Sequence, residues 1–176
     1  MIESEAPIAK RAPQSGVPVK LLVGSRTELD TAVLMVLGAA QNTVRCAAAD
    51  LSIFGLSARA AIDVLRALLL ANRVNTVRLL VDDPTWIETH GGRLKLLQRD
   101  FAHALQIRAA DREDAVGGDR LIIGDECHAL QLREATNLIH GELWLNHRPY
   151  AQPLLMAFER RWDRAAHNIA VNPLGL

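Results

Sequence analysis

The stretch "GGDRLIIGDECHALQLREATN", Gly117 to Asn137, holds two short apolar runs, "RLIIGDE" and "CHALQLR", that meet tightly near Gly124-Asp125. Strand-forming residues on both sides of a Gly-Asp turn predict a β-hairpin. Upstream, "TVRLLVDDP" (Thr76–Pro84) is apolar on alternate and on intervening positions before two carboxylates and a proline stop. A strand apolar on both faces belongs in a sheet covered by helices. The hairpin therefore joins a larger sheet.

Further outward, strand and helix signals alternate. "VKLLVG" (Val19–Gly24) reads as a strand, and Ser25-x-x-Glu28 is a capping-box pattern opening a helix. Leu29, Val33, Val36, Leu37 and Ala40 give that helix one apolar stripe, and Asn42 ends it. "TVRCAAAD" (Thr43–Asp50) is a second strand. Ser57 is expected to cap a second helix, with Ala61, Val64, Leu65, Leu68 and Leu69 facing inward. "TWIETHGGRLKLLQRDFAHA" is read as one helix with a start weakened by Gly91-Gly92. "LQIRAA" and "GELWLN" add short strands. The closing helix, "PYAQPLLMAFERRWDRAA", carries Leu154, Leu155, Phe158 and Trp162 on one stripe. Phe158 and Trp162 are core residues in this reading. Arg160, Arg161 and Arg164 point to solvent, partly balanced by Glu159 and Asp163. This order predicts an α/β sandwich with a mixed, largely parallel sheet and right-handed crossovers.

The 176 residues fit one domain, expected over 19–170, after a flexible leader (1–18) and before a short tail (171–176). Twenty basic and twenty acidic residues cancel, so no global field attracts nucleic acid or an anionic membrane. Lys10, Lys20 and Lys95 are the only lysines, which leaves seventeen arginines among the twenty. Cys46 and Cys127 show no metal spacing and are expected to be buried, reduced thiols. No apolar run approaches membrane-spanning length, and membrane insertion is not expected. A cytoplasmic location is.

Three segments in order resemble the phospholipase D superfamily. "ARAAIDVLRALLLANRVNTVRLLVDD" resembles its helix, basic turn and V-R-x-L-x-D strand; "RLIIGDECHALQLREATN" resembles the hairpin carrying its H-x-K-x4-D motif; "LLMAFERRWDRA" is similar to its closing helix. The likeness covers most of Val19 to Ala166 and is strongest to bacterial single-repeat domains of unknown function. It implies a phospholipase D-like α-β-α sandwich. On that hairpin Asp125 matches the motif aspartate, Arg120 stands where the lysine would be, and Gly118 where the histidine would be. Asn137 falls near the G-S-x-N asparagine, although "EATN" lacks the Gly-Ser.

In the family the histidine attacks phosphorus to form a phosphohistidine. Glycine has no side chain to attack with, whereas arginine still binds an oxyanion. The resemblance thus implies a non-catalytic domain that holds a phosphate-bearing ligand, a nucleic acid or a protein partner, with Arg120, Asp125 and Asn137 as ligand residues. No cofactor or metal is expected. Since two-repeat members place both motifs at the joint between halves, the resemblance implies a two-fold homodimer here.

Two alternatives stand beside this one: a phosphodiesterase using a displaced histidine, His128, and an interaction module with no ligand site. The residues also leave Arg120 and Asp125 open as a plain cross-hairpin ion pair. Asp50 and Asp82-Asp83 end two strands and are expected at one sheet edge, with Asp83 capping the next helix.

Overall fold

The computed structural model describes residues 16–111, 120–133 and 138–165. Strands β1 (Val19–Val23), β2 (Thr43–Ala48), β3 (Thr76–Val81), β4 (Leu105–Ala109), β5 (Arg120–Gly124), β6 (His128–Leu132) and β7 (Gly141–Leu145) form one sheet in the order β1-β7-β6-β5-β2-β3-β4. Helices α1 (Arg26–Ala39), α2 (Arg59–Ala71), α3 (Thr85–His90) and α4 (Gly92–Asp100) follow the early strands, and α5 (Arg148–Arg164) comes last.

The sheet is mixed, but its parallel share is smaller than expected. Only β2–β3 and β3–β4 pair parallel; β1–β7, β7–β6, β6–β5 and β5–β2 are antiparallel. Helical crossovers build the parallel half, since they return the chain to the same end of the sheet. Short connections join β5 to β6 and β6 to β7 in antiparallel fashion, and the trio enters between β1 and β2 with its outer strands antiparallel to both. The first crossover, β1–α1–β2, thereby leaves a gap that β5, β6 and β7 fill.

One sheet face packs under α1, α2 and α4, where Leu29, Val33, Val36 and Leu37 of α1 are buried as their spacing predicts. The other is covered by α5, whose Ala151, Leu155, Phe158 and Trp162 close over Ala47, Leu80, Leu121, Ile123 and Ala129. Phe158 and Trp162 are core residues, as expected, with parallel-stacked rings 5.7 Å apart. Burying each stabilises the fold by roughly 1.5–3 kcal/mol.

Local signals held unevenly. Ser25 caps α1, its Oγ accepting from the Glu28 amide at 3.2 Å, while Glu28 reaches back to the Gly24 amide at 2.8 Å. Those bonds, the Gly24 amide first, hold the Glu28 carboxyl below its usual range. Ser57 does not cap α2: Ala58 occupies that place, and the Ser57 hydroxyl turns to the His90 carbonyl at 3.5 Å. The expected single helix after β3 is two. The chain breaks at Gly91, where a Cβ would lie 2.6 Å from the Ile87 carbonyl oxygen.

Candidate anion-binding edge

Because β2 and β3 run parallel and β5 runs against β2, the carboxyl ends of β2 and β3 share an edge with the start of β5. Arg120 is the first residue of β5, opposite Leu132 of β6. Leu132 in turn pairs with Gly141, so His140 also belongs to this edge. Ligands of open α/β sheets bind at such edges, outside the carboxyl ends of the strands.

Asp50 and Asp82-Asp83 gather at the same edge, as their positions predict. Each of the two with a local acceptor role shapes a turn: Asp50 takes the Ser52 amide at 2.8 Å and Asp83 the Thr85 amide at 2.9 Å. The bonds from Thr85 lower the Asp83 pKa. Asp83 therefore organises the entry to α3, although Pro84 is the N-cap residue itself.

Asp125 does not join Arg120. It follows the other end of β5, roughly 16 Å away at about 3.3 Å per strand residue. There its carboxylate accepts from the backbone amides of Gln41, Asn42 and Thr43 at 2.9, 2.8 and 2.9 Å. Its own amide donates to the Thr43 carbonyl at 2.8 Å, with φ at 52°. The turn comes this close because Gly124 has no side chain; a Cβ would lie 3.0 Å from the Val36 carbonyl and 3.1 Å from the Ala40 Cβ. Asp125 is thus not an ion-pair partner of Arg120, and its carboxylate is engaged by three backbone amides. Asn137, the third expected ligand residue, and Gly118 lie outside the described residues.

His128 begins β6 beside this same turn, opposite Gly124. It is buried, and its Nδ1 accepts from the Asn146 amide at 3.1 Å. Burial lowers its pKa, with Asp125 acting the other way. The strand length that removes Asp125 from Arg120 removes His128 as well, so it cannot stand in for a nucleophile beside Arg120. His147 turns out to be the N-cap of α5, its Nδ1 accepting from the Tyr150 amide at 3.1 Å. Cys46 is buried, which pushes its thiol well above the usual range; Cys127 is only half-buried, contrary to expectation. Among the described residues no group of three His, Cys, Asp or Glu side chains is placed to hold a metal, and no helix is long and apolar enough to cross a membrane.

A feature that sequence spacing did not single out lies under α5. Glu159 bridges two arginines, with Oε1 on Arg45 Nε and Oε2 on Arg78 Nη1 at 3.0 Å. The signal was present: Thr-Val-Arg opens both β2 and β3, and the parallel register pairs Thr43 with Thr76, Val44 with Val77 and Arg45 with Arg78.

The sequence pattern of the family described as "Domain of unknown function (DUF7931)" matches residues 25–174. The chain belongs to this family. No curated protein matches it. Solved structures similar to this DUF7931 chain include the phospholipase D family member Nuc from Salmonella typhimurium, at 17% identity and a TM-score of 0.61 over 86% of this chain and 98% of that one. NucT from Helicobacter pylori aligns at 12% identity and 0.58, covering 86% of this chain and 99% of its own. TrmBL2, an archaeal chromatin protein, aligns at 15% identity and 0.63 over 88% of this chain; the DUF7931 chain spans only 56% of that protein. The fold of the DUF7931 chain is phospholipase D-like.

Proposed function

We propose that this domain is a non-catalytic relative of phospholipase D-like phosphodiesterases that binds a phosphate-bearing ligand through the Arg120 edge. The observation that carries the reading is the position of Arg120 at the start of β5, on the carboxyl-end edge of the sheet. Gly118 stands two residues earlier, where the family's hairpin holds its nucleophilic histidine. A guanidinium there supplies a fixed positive charge and paired donors for an oxyanion. Glycine offers no nucleophile at that position, so in this reading the edge binds a phosphate without transferring it. Asp125 serves the same function indirectly, by fixing the hairpin against the end of α1.

The single repeat makes a two-fold homodimer the natural assembly, with the two Arg120 edges facing each other. The ligand classes of this reading are phosphate itself, nucleotides and nucleic acid. That TrmBL2, with the same fold, is described as binding DNA favours keeping nucleic acid among them.

Thermal-shift titration of the full chain with phosphate, nucleotides and short oligonucleotides tests the reading, alongside turnover of an activated phosphodiester. A melting-temperature rise that Arg120→Gln removes, with no turnover above buffer, is the expected result. Ligand stabilisation unchanged in Arg120→Gln overturns it, and so does turnover by the wild-type chain. Light scattering at micromolar protein checks the dimer.

A further inference from the structure

Taken alone, the arginines of α5 look like an ordinary solvated helix face. The tertiary structure adds a second set beneath them. Arg45, Arg78 and Arg108 come from β2, β3 and β4, three neighbouring strands about 4.8 Å apart, and all three project from the α5 side of the sheet. One carboxylate serves the first two: Glu159, through both its oxygens. Arg108 donates from Nη1 to the Trp162 carbonyl at 2.9 Å, and its Nε, shielded from water, has no acceptor among the described residues. The guanidiniums of Arg78 and Arg108 lie 5.6 and 4.4 Å from the centre of the Trp162 ring. That ring holds two like charges together on one side of the molecule.

Toward its C-terminal end, helix α5 carries Arg160, Arg161 and Arg164 together with Glu159 and Asp163. Among the described residues one carboxylate, Glu159, is hydrogen-bonded to the row of three strand arginines, in a chain whose total charge is zero. Such local concentration of one sign attracts the opposite sign from solution. A row spread across three strands suits an extended polyanion better than a single enclosed anion.

We infer that the α5 face around Arg78, Arg108 and Trp162 is a binding surface for the phosphodiester backbone of nucleic acid, with Glu159 as a built-in competitor for the phosphate. This surface is separate from the Arg120 edge and stands whether or not that edge binds anything. Glu159 neutralises Arg45 and Arg78 in the free protein. A phosphate arriving between Arg78 and Arg108 takes over part of that role.

Fluorescence anisotropy with a labelled oligothymidylate, over a series of salt concentrations, tests this on the full chain. Arg78→Gln and Arg108→Gln are expected to weaken binding and to lower the log–log salt slope by about 0.7 for each phosphate no longer neutralised. Exposed Arg160→Gln serves as a third variant with little bearing on folding, expected to act in the same direction. Glu159→Gln is expected to tighten binding several-fold, an effect that a purely structural ion pair does not produce. No binding by the wild-type chain overturns the inference, as does an unaltered salt slope in Arg108→Gln and Arg160→Gln, or weaker binding in folded Glu159→Gln. Loss of binding confined to Arg120→Gln assigns the phosphate to the sheet edge and also overturns it. So does binding to phosphatidylglycerol vesicles without binding to the oligonucleotide.

Discussion

Asp125 and Thr43 bond to each other twice: the Asp125 carboxylate takes the Thr43 amide at 2.9 Å, and the Asp125 amide donates to the Thr43 carbonyl at 2.8 Å. With the Gln41 and Asn42 amides on the same carboxylate, this one residue ties the β5–β6 turn to the segment where α1 becomes β2. Loss of its side chain is expected to cost about 2–3 kcal/mol, since hydrogen bonds to a charged acceptor are among the stronger ones. Asp125→Ala also places a residue without a local polar partner at positive φ. Asp125→Asn, which tolerates that φ and keeps one acceptor, is expected to lose less. Urea denaturation checks the order.

Gly91 separates α3 from α4 with its α-carbon against the preceding turn. A methyl group there meets the Ile87 carbonyl oxygen at 2.6 Å and the Ile87 α-carbon at 2.9 Å, both backbone atoms with little room to move. Gly91→Ala is expected to destabilise the domain by about 1–3 kcal/mol, as overpacking does. Gly92→Ala, with open space around the added carbon, is expected to be neutral or stabilising. Thermal melts of the two variants give the contrast.

His128 is held neutral in the folded state, where burial lowers its pKa from the ordinary 6.5 and its Nδ1 accepts the Asn146 amide. The unfolded chain therefore binds this proton first as the pH falls. Stability contributed by the neutral ring is complete above 6.5 and declines below it, down to the depressed folded value. His128→Gln removes this titration. The difference in urea midpoint between wild type and variant is expected to shrink as the pH is lowered from above neutrality into that window; a constant difference contradicts the assignment.

Glu159 links α5 to β2 and β3 through arginines of which Arg45 has only 16% of its side chain exposed. Removing the carboxylate leaves two half-buried cations side by side. Glu159→Gln is expected to cost about 2 kcal/mol, between an exposed pair and a buried one. The cost is expected to fall as salt screens the repulsion between Arg45 and Arg78. Denaturation at low and high ionic strength measures it.

Local chemistry made much of this protein legible in its sequence. The Ser25–Glu28 cap, the apolar stripe of α1, the Phe158–Trp162 core pair, the turn role of Asp83 and the hairpin around Gly124-Asp125 depend on neighbours within one element, so spacing alone reveals them. Their order pointed to an α/β sandwich, and the resemblance of three segments to the phospholipase D superfamily pointed to its particular form. Tertiary structure decided how the strands interleave, and with it everything that depends on distance. Arg120 and Asp125 are five residues apart in sequence, yet an extended strand turns that short separation into opposite ends of the sheet. Arg45 and Arg78 are far apart in sequence, yet parallel pairing sets them side by side with Glu159 across both. Periodicity reports which side of its own element a residue faces; only strand pairing determines what it meets there.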